Sequence, residues 1–253
     1  LVTVMMIAVS GTPGYAKDLK IVTSIKPIHS LASRVMGGRG ELDLLVTGGV
    51  TPHIFRMKPS DFKKVVNADV LFYISPKFET FLKTTSLVDR PSLNTIAFEE
   101  QEGIKLYPYR SSKIWFTEGD DLHEHEHSEM DLHIWLDPAN TRRIVKIIEE
   151  TLSELDPMNS IHYGRNAQLL IKELYEQEEL IRELLRPLRD SAMIVYHDAF
   201  QYYEKAYSNI IHNPFRKSIF KCDELASRTS KDLNSCPSFL PSLHYPKIFT
   251  KTK

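Results

Sequence analysis

Short β-branched runs alternate with stretches of helical spacing through the first hundred residues. Residues 19–25 form the first such run and stop at Lys26-Pro27, which predicts a strand and its end. Ile28, Leu31, Ala32 and Val35 then repeat at helical intervals, and Gly37-Gly38 terminates them. Residues 41–46 predict a second strand, followed by the loop Thr47-Gly48-Gly49-Val50-Thr51-Pro52. A helix starting at Lys58-Pro59-Ser60-Asp61 runs to about Asn67, residues 70–74 make a third strand, and residues 76–87 another helix. A strand at 92–97 completes the set. Strands and helices alternating at this spacing predict βαβ units and a parallel sheet covered on both faces.

Residues 98–118 show no clear period, apart from a candidate strand at 103–106. Pro138 opens a helix at its first position, where the missing N–H costs nothing, and Asp156-Pro157 breaks it near Leu155. A longer helix follows over about 160–188. Tyr163, Ala167, Leu170, Leu174, Ile181, Leu185 and Leu188 keep its apolar spacing, while Glu173, Glu176, Glu178 and Glu179 populate other faces. At 1.5 Å per residue it spans roughly 40 Å, enough to act as a spine between two lobes. Residues 192–196 read as a buried strand ending at His197-Asp198, and residues 199–207 as a helix.

The pattern dissolves after Ser208. Residues 209–253 contain four prolines, both cysteines and no sustained period. They carry eight Lys/Arg against three Asp/Glu, a net +5 that leaves −6 on residues 1–208. A segment unable to bury an apolar face does not recover its ordering entropy, so this tail is expected to be poorly ordered. At the other end, residues 1–11 are apolar but too short to span a bilayer. Gly14 and Ala16 stand where a signal peptidase reads small residues, which predicts an export signal over 1–16.

Composition narrows the function less than pattern does. At 253 residues, with 42% hydrophobic content, the chain can bury a sizeable core. A net charge of −1 gives no overall attraction to nucleic acid or anionic membrane. Cys222 and Cys236 set no disulfide framework and form no C-x-x-C pair. Gly37-Gly38-Arg39-Gly40 lacks the spacing of a phosphate-binding loop.

The chemistry gathers in histidines. Residues 120–133 hold four of the ten, with His123, His125 and His127 alternating with carboxylates and His133 set into the apolar segment 132–136. Imidazole is a borderline-soft donor suited to zinc and its neighbours, so this stretch reads as a metal ligand beside a collecting loop. His53 and His197 also stand where a loop or strand meets a helix. In open α/β sheets such positions converge at the carboxyl ends of the strands. Any one of them taken singly reads sooner as an ordinary polar residue hydrogen-bonded at an element end.

Their flanks are more specific. Pro52-His53-Ile54-Phe55-Arg56-Met57-Lys58-Pro59-Ser60-Asp61, then Leu132-His133-Ile134-Trp135-Leu136-Asp137-Pro138-Ala139-Asn140, then Tyr196-His197-Asp198-Ala199-Phe200 follow one another in order. In this order they resemble the zinc- and manganese-binding solute receptors of bacterial ABC importers, in particular the zinc-specific type, over about residues 19–208. The resemblance implies a two-lobed α/β metal-receptor fold, with parallel sheets flanked by helices and a long inter-lobe helix. It implies His53 and His133 as first-lobe ligands, His197 as the second-lobe ligand, and His123, His125 and His127 as an auxiliary metal loop. The expected organisation is a signal peptide (1–16), a first lobe (17–157) including the His-rich loop (120–131), a linking helix (158–190), a partial second lobe (191–208) and a divergent tail (209–253). The second lobe is thus expected to be incomplete, as in a truncated chain.

The implied role is a periplasmic, monomeric, non-enzymatic receptor that captures Zn2+ and hands it to the membrane permease of an ABC importer, with no nucleic-acid partner. Three imidazoles favour zinc over Mn2+, which prefers more oxygen ligands. A manganese receptor of the same family, a zinc-dependent hydrolase and a metal-buffering protein are the competing readings. His123-Glu124-His125-Glu126-His127 satisfies H-E-x-x-H, yet that motif works on a helix and this one lies in an acidic loop without apolar period. Asp137 and Asp198 are the candidate acid–base groups of a hydrolase, and each also fits a helix start or a histidine partner.

Overall fold

The computed structural model describes residues 18–83, 91–109, 130–188 and 199–207. The expected signal segment, the His-rich loop, the strand at 192–196 with His197, and the tail lie outside the described residues.

Four parallel strands form the sheet: β1 (Lys20–Thr23), β2 (Glu41–Leu44), β3 (Val70–Tyr73) and β4 (Asn94–Ala97). Their order is β2-β1-β3-β4, with Ile21 opposite both Leu42 and Val70. Connections leave β1 in one direction and reach β3 in the other, so the chain reverses its winding between these two strands. That switch point is where an open α/β sheet parts into a crevice at its carboxyl edge. β3 is buried along its whole length, as the run Val70-Leu71-Phe72-Tyr73 implies for a central strand covered on both faces.

Helix α1 (Lys26–Met36) buries Ile28, Leu31, Ala32, Val35 and Met36. Pro27, expected to end the strand, instead occupies its first turn, where proline fits. Gly37 ends it in the left-handed conformation at φ 58°. Gly40 matters more. At φ 76° a side chain there is already strained, and a Cβ would lie 2.4 Å from the Leu19 carbonyl oxygen, which also accepts from Glu41 N–H at 2.8 Å. Gly40→Ala is therefore expected to lower the unfolding free energy by more than about 1 kcal/mol, read as a shifted denaturant midpoint. An unchanged midpoint means the β1–β2 connection yields without cost.

α2 (Pro59–Val66) has proline in its first turn, and the Asp61 carboxylate reaches back to the Lys58 N–H at 2.9 Å. The helix expected over 76–87 is described only as α3 (Thr80–Lys83). The strand expected at 103–106 appears later and shorter, as β5 (Tyr107–Pro108) paired antiparallel with β6 (Met130–Asp131). The reason lies in Asn140. Its side-chain amide accepts from Lys105 N–H at 2.8 Å and donates to the Lys105 carbonyl at 2.9 Å, so this backbone is held by a side chain and not by a strand.

α4 (Pro138–Leu155) matches its expected bounds, and its buried stripe Ile144, Val145, Ile147, Ile148 and Leu152 covers the sheet with α1. α5 (Ser160–Leu185), 26 residues long, runs back along it and beyond, then tightens into a 3-10 turn through Leu188. Only Tyr163, Ala167 and Leu170 are fully buried, all in its first half. Arg142 of α4 ties the second half down: it pairs with Glu178 at 2.5 Å and lies 4.0 Å over the Tyr175 ring. α6 (Gln201–Ala206) packs back on the first lobe, beside β5 and β6. The chain thus has the two-lobed α/β architecture with a parallel sheet, flanking helices and a long inter-lobe helix; the first lobe and that helix make up most of what is described.

Candidate metal centre

His53 follows β2 in a turn where its N–H meets the Thr51 hydroxyl oxygen at 3.4 Å. The turn is exposed, but the next residues anchor it. Phe55 packs edge-on against Phe81 at 4.9 Å, and Phe55, Met57 and Phe62 lie against the core. Alternating apolar residues after His53 therefore seat the loop, while Pro59 and Asp61 start the helix that closes it.

His133 precedes a 3-10 turn (Ile134–Leu136) that leads into α4. Its environment is the reverse of that of His53, being only 6% exposed. Asp131, itself buried, holds it twice: one carboxylate oxygen accepts from the His133 backbone N–H at 3.0 Å and contacts ring Nδ1 at 2.8 Å. This fixes the ring and assigns Nε2 as the nitrogen available to a metal, since a ligating imidazole characteristically donates its other N–H to a carboxylate. Asp137 caps α4, accepting from Ala139 N–H at 2.7 Å and Asn140 N–H at 3.2 Å. Its place is the helix start and not an acid–base post.

The two imidazoles face each other across the carboxyl edge of the sheet, ring centroids 6.3 Å apart and planes at 65°. With zinc–nitrogen bonds of about 2.0–2.1 Å, two rings on one tetrahedral zinc stand roughly 5 Å apart. The separation of the pair lies within about an ångström of that spacing. Phe78, on the turn after β3, lies edge-on to both rings, 4.8 Å from His53 and 5.5 Å from His133, and 5.4 Å from Trp135. It walls the pair on the protein side with carbon.

The structure therefore brings His53 and His133 together. His197 and the auxiliary His123, His125 and His127 lie outside the described residues. Among the described residues no third His, Cys, Asp or Glu joins the pair. The sequence assigns no role to Asp131 or Phe78 and places Asn140 only as the last residue of the motif that begins at His133. Asp131 was legible as a carboxylate two residues before a histidine; Phe78, distant in sequence from both histidines, left no such signal.

The described residues thus form an α/β lobe with an oriented imidazole pair at the carboxyl edge of its sheet and a long helix leading away. The family model for zinc-uptake complex component A, periplasmic (ZnuA), matches residues 21–249, and the chain belongs to that family. The match continues past Ser208, through the segment where no hydrophobic period is legible. The high-affinity zinc uptake system protein ZnuA of Brucella abortus (strain 2308) is 33% identical over 221 residues, 74% of this chain and 64% of the relative. The manganese-binding lipoprotein MntA of Halalkalibacterium halodurans is 27% identical over 208 residues, 78% of this chain and 62% of the relative. Among solved structures, the periplasmic zinc-binding protein TroA from Treponema pallidum superposes with a TM-score of 0.60 at 25% identity, over 74% of this chain and 63% of that one. The chain thus spans a little under two thirds of the length of these relatives.

Proposed function

We propose that this chain is a periplasmic zinc receptor that captures the ion at His53, His133 and His197 and delivers it to the membrane permease of an ABC importer. The observation that carries the reading is the facing pair of imidazoles, one oriented by a buried carboxylate, in a chain of the zinc-uptake family. In this reading residues 17–157 form the first lobe, 158–190 the linking helix and 191–208 part of the second, so that zinc sits between lobes. Three neutral imidazoles with an open fourth position make a chemically sound zinc site. His123, His125 and His127 act as an auxiliary collecting loop. The nitrogen donor set favours zinc over manganese, although one relative is a manganese-binding protein. As a receptor the protein binds its cargo reversibly and turns nothing over.

The test is a chelator-competition titration with zinc and with manganese on the whole chain, on the triple variant His53→Ala/His133→Ala/His197→Ala, and on a deletion of 121–129. Tight binding of one zinc, lost in the triple variant and retained in the deletion, is the expected result. Loss in the deletion with retention in the triple variant moves the primary site to the loop. Tighter manganese than zinc replaces the cargo, and metal-dependent hydrolysis lost in His133→Ala replaces the receptor with an enzyme.

A further inference from the structure

Asp131 is held from more sides than a histidine partner requires. One carboxylate oxygen serves His133, as described, and the other lies 3.4 Å from the Gln201 amide nitrogen, which also donates to the Pro108 carbonyl at 2.9 Å. The Asp131 backbone carbonyl accepts from the Tyr202 hydroxyl at 2.6 Å, and that hydroxyl in turn accepts from Tyr107 N–H at 3.0 Å. Tyr107 and Asp131 are directly opposed residues of the β5–β6 pair, so the phenol is inserted between backbone groups of the two strands. Burial pushes the phenol well above its ordinary range, so it stays protonated and donates. Tyr202 is fully buried and Gln201 nearly so, and Lys205 of the same helix sits 3.4 Å over the Tyr107 ring.

These contacts all come from α6, whose first residue is only four positions after His197. A helix attached to the proposed second-lobe ligand thus grips the residue that orients the first-lobe ligand. We propose that Gln201 and Tyr202 are positioning residues that set the His133 imidazole through Asp131, linking the segment that carries His197 to the geometry of the first-lobe ligand. The inference rests on the reading of His133 as a zinc ligand. A shift of α6 relative to β5–β6 changes the hold on Asp131, and with it the ring that Asp131 aims.

The experiment compares Gln201→Ala and Tyr202→Phe with the unsubstituted chain, and places Gln201→Ala also in an Asp131→Ala background. Zinc dissociation into excess chelator is timed, and the His133 Nδ1–H proton resonance is followed by NMR without metal. Dissociation is expected to quicken on the order of 3- to 10-fold in each single variant, below the effect of losing the direct partner. The Nδ1–H resonance should shift or exchange away in both. In the Asp131→Ala background, Gln201→Ala should add less than about twofold, because coupled residues are non-additive. Equal effects of Gln201→Ala in both backgrounds, or an unmoved Nδ1–H signal, overturn the inference and leave α6 as packing alone. If Tyr202→Phe does not fold, Gln201→Ala and its cycle decide the matter. Failure of the unsubstituted chain to bind zinc overturns the receptor reading itself, a result distinct from normal binding that ignores α6.

Discussion

Zinc affinity is expected to fall about 10- to 100-fold in Asp131→Asn and by more than that in His133→Ala. On the proposed reading, His133→Ala loses a metal–nitrogen bond, whereas Asp131→Asn leaves every proposed ligand in place and changes only how one of them is held. The native carboxylate accepts on both oxygens, from His133 N–H and Nδ1 on one and toward Gln201 on the other. An asparagine has one accepting oxygen, so serving His133 turns its NH2 group against the Gln201 amide, donor to donor. Asp131→Ala is harsher, removing the acceptor for three donors and costing stability of about 1–3 kcal/mol for each buried group left unpaired. Competition titration measures the first effect and chemical unfolding the second. Equal zinc affinity of Asp131→Asn and the unsubstituted chain would show that the ring is aimed by its packing against Phe78 and Trp135 and not by the carboxylate.

The first lobe was legible because its elements obey one local rule each. Val70-Leu71-Phe72-Tyr73 is a strand buried on both faces and reads as an uninterrupted apolar run. Pro138 after Asp137 is a helix start by chemistry alone, and α4 begins there. Misreadings occur where a distant side chain decides. Nothing within residues 103–106 announces that Asn140 takes up the Lys105 backbone groups, so the strand is expected to start four residues too early. The site divides in the same way. His53 and His133 carry local motifs, and they meet. Phe78 reaches both from the turn after β3, and Gln201 and Tyr202 reach Asp131 from 70 positions along the chain or more. Such contacts depend on how the sheet is wound and how α6 is docked, and no period or motif records either. The family match beyond Ser208 makes the same point, because membership persists where local periodicity gives no sign of it.

The largest change in stability is expected at Glu79, a fully buried carboxyl at the switch point between β1 and β3. One oxygen meets the Ser24 hydroxyl at 2.5 Å and accepts from Ile74 N–H at 3.0 Å; the other accepts from Ser75 N–H at 2.9 Å. Glu79 thereby closes the crevice of the sheet and fixes the turn that carries Phe78 to the two histidines. Glu79→Ala leaves two backbone N–H donors and the Ser24 hydroxyl in a dry site without their partner, at about 1–3 kcal/mol each, which approaches the whole stability of an ordinary domain. Glu79→Gln should cost about 1–3 kcal/mol, because its NH2 group must face one of the backbone N–H donors. Burial pushes the Glu79 carboxyl up to about 7 from an ordinary 4.5, against the opposing pull of its hydrogen bonds. Protonated, it donates to the Ser24 oxygen and keeps both backbone bonds. The folded chain then binds this proton more tightly than the unfolded chain does. Its contribution to stability is complete below pH 4.5 and is lost as the pH rises through about 7. Unfolding free energies of the unsubstituted chain and of Glu79→Gln, measured from pH 4.5 to 7.5 without metal, should therefore converge as pH rises, because the glutamine has no proton to lose. Parallel profiles would mean that Glu79 is ionised throughout, its three donors outweighing its burial.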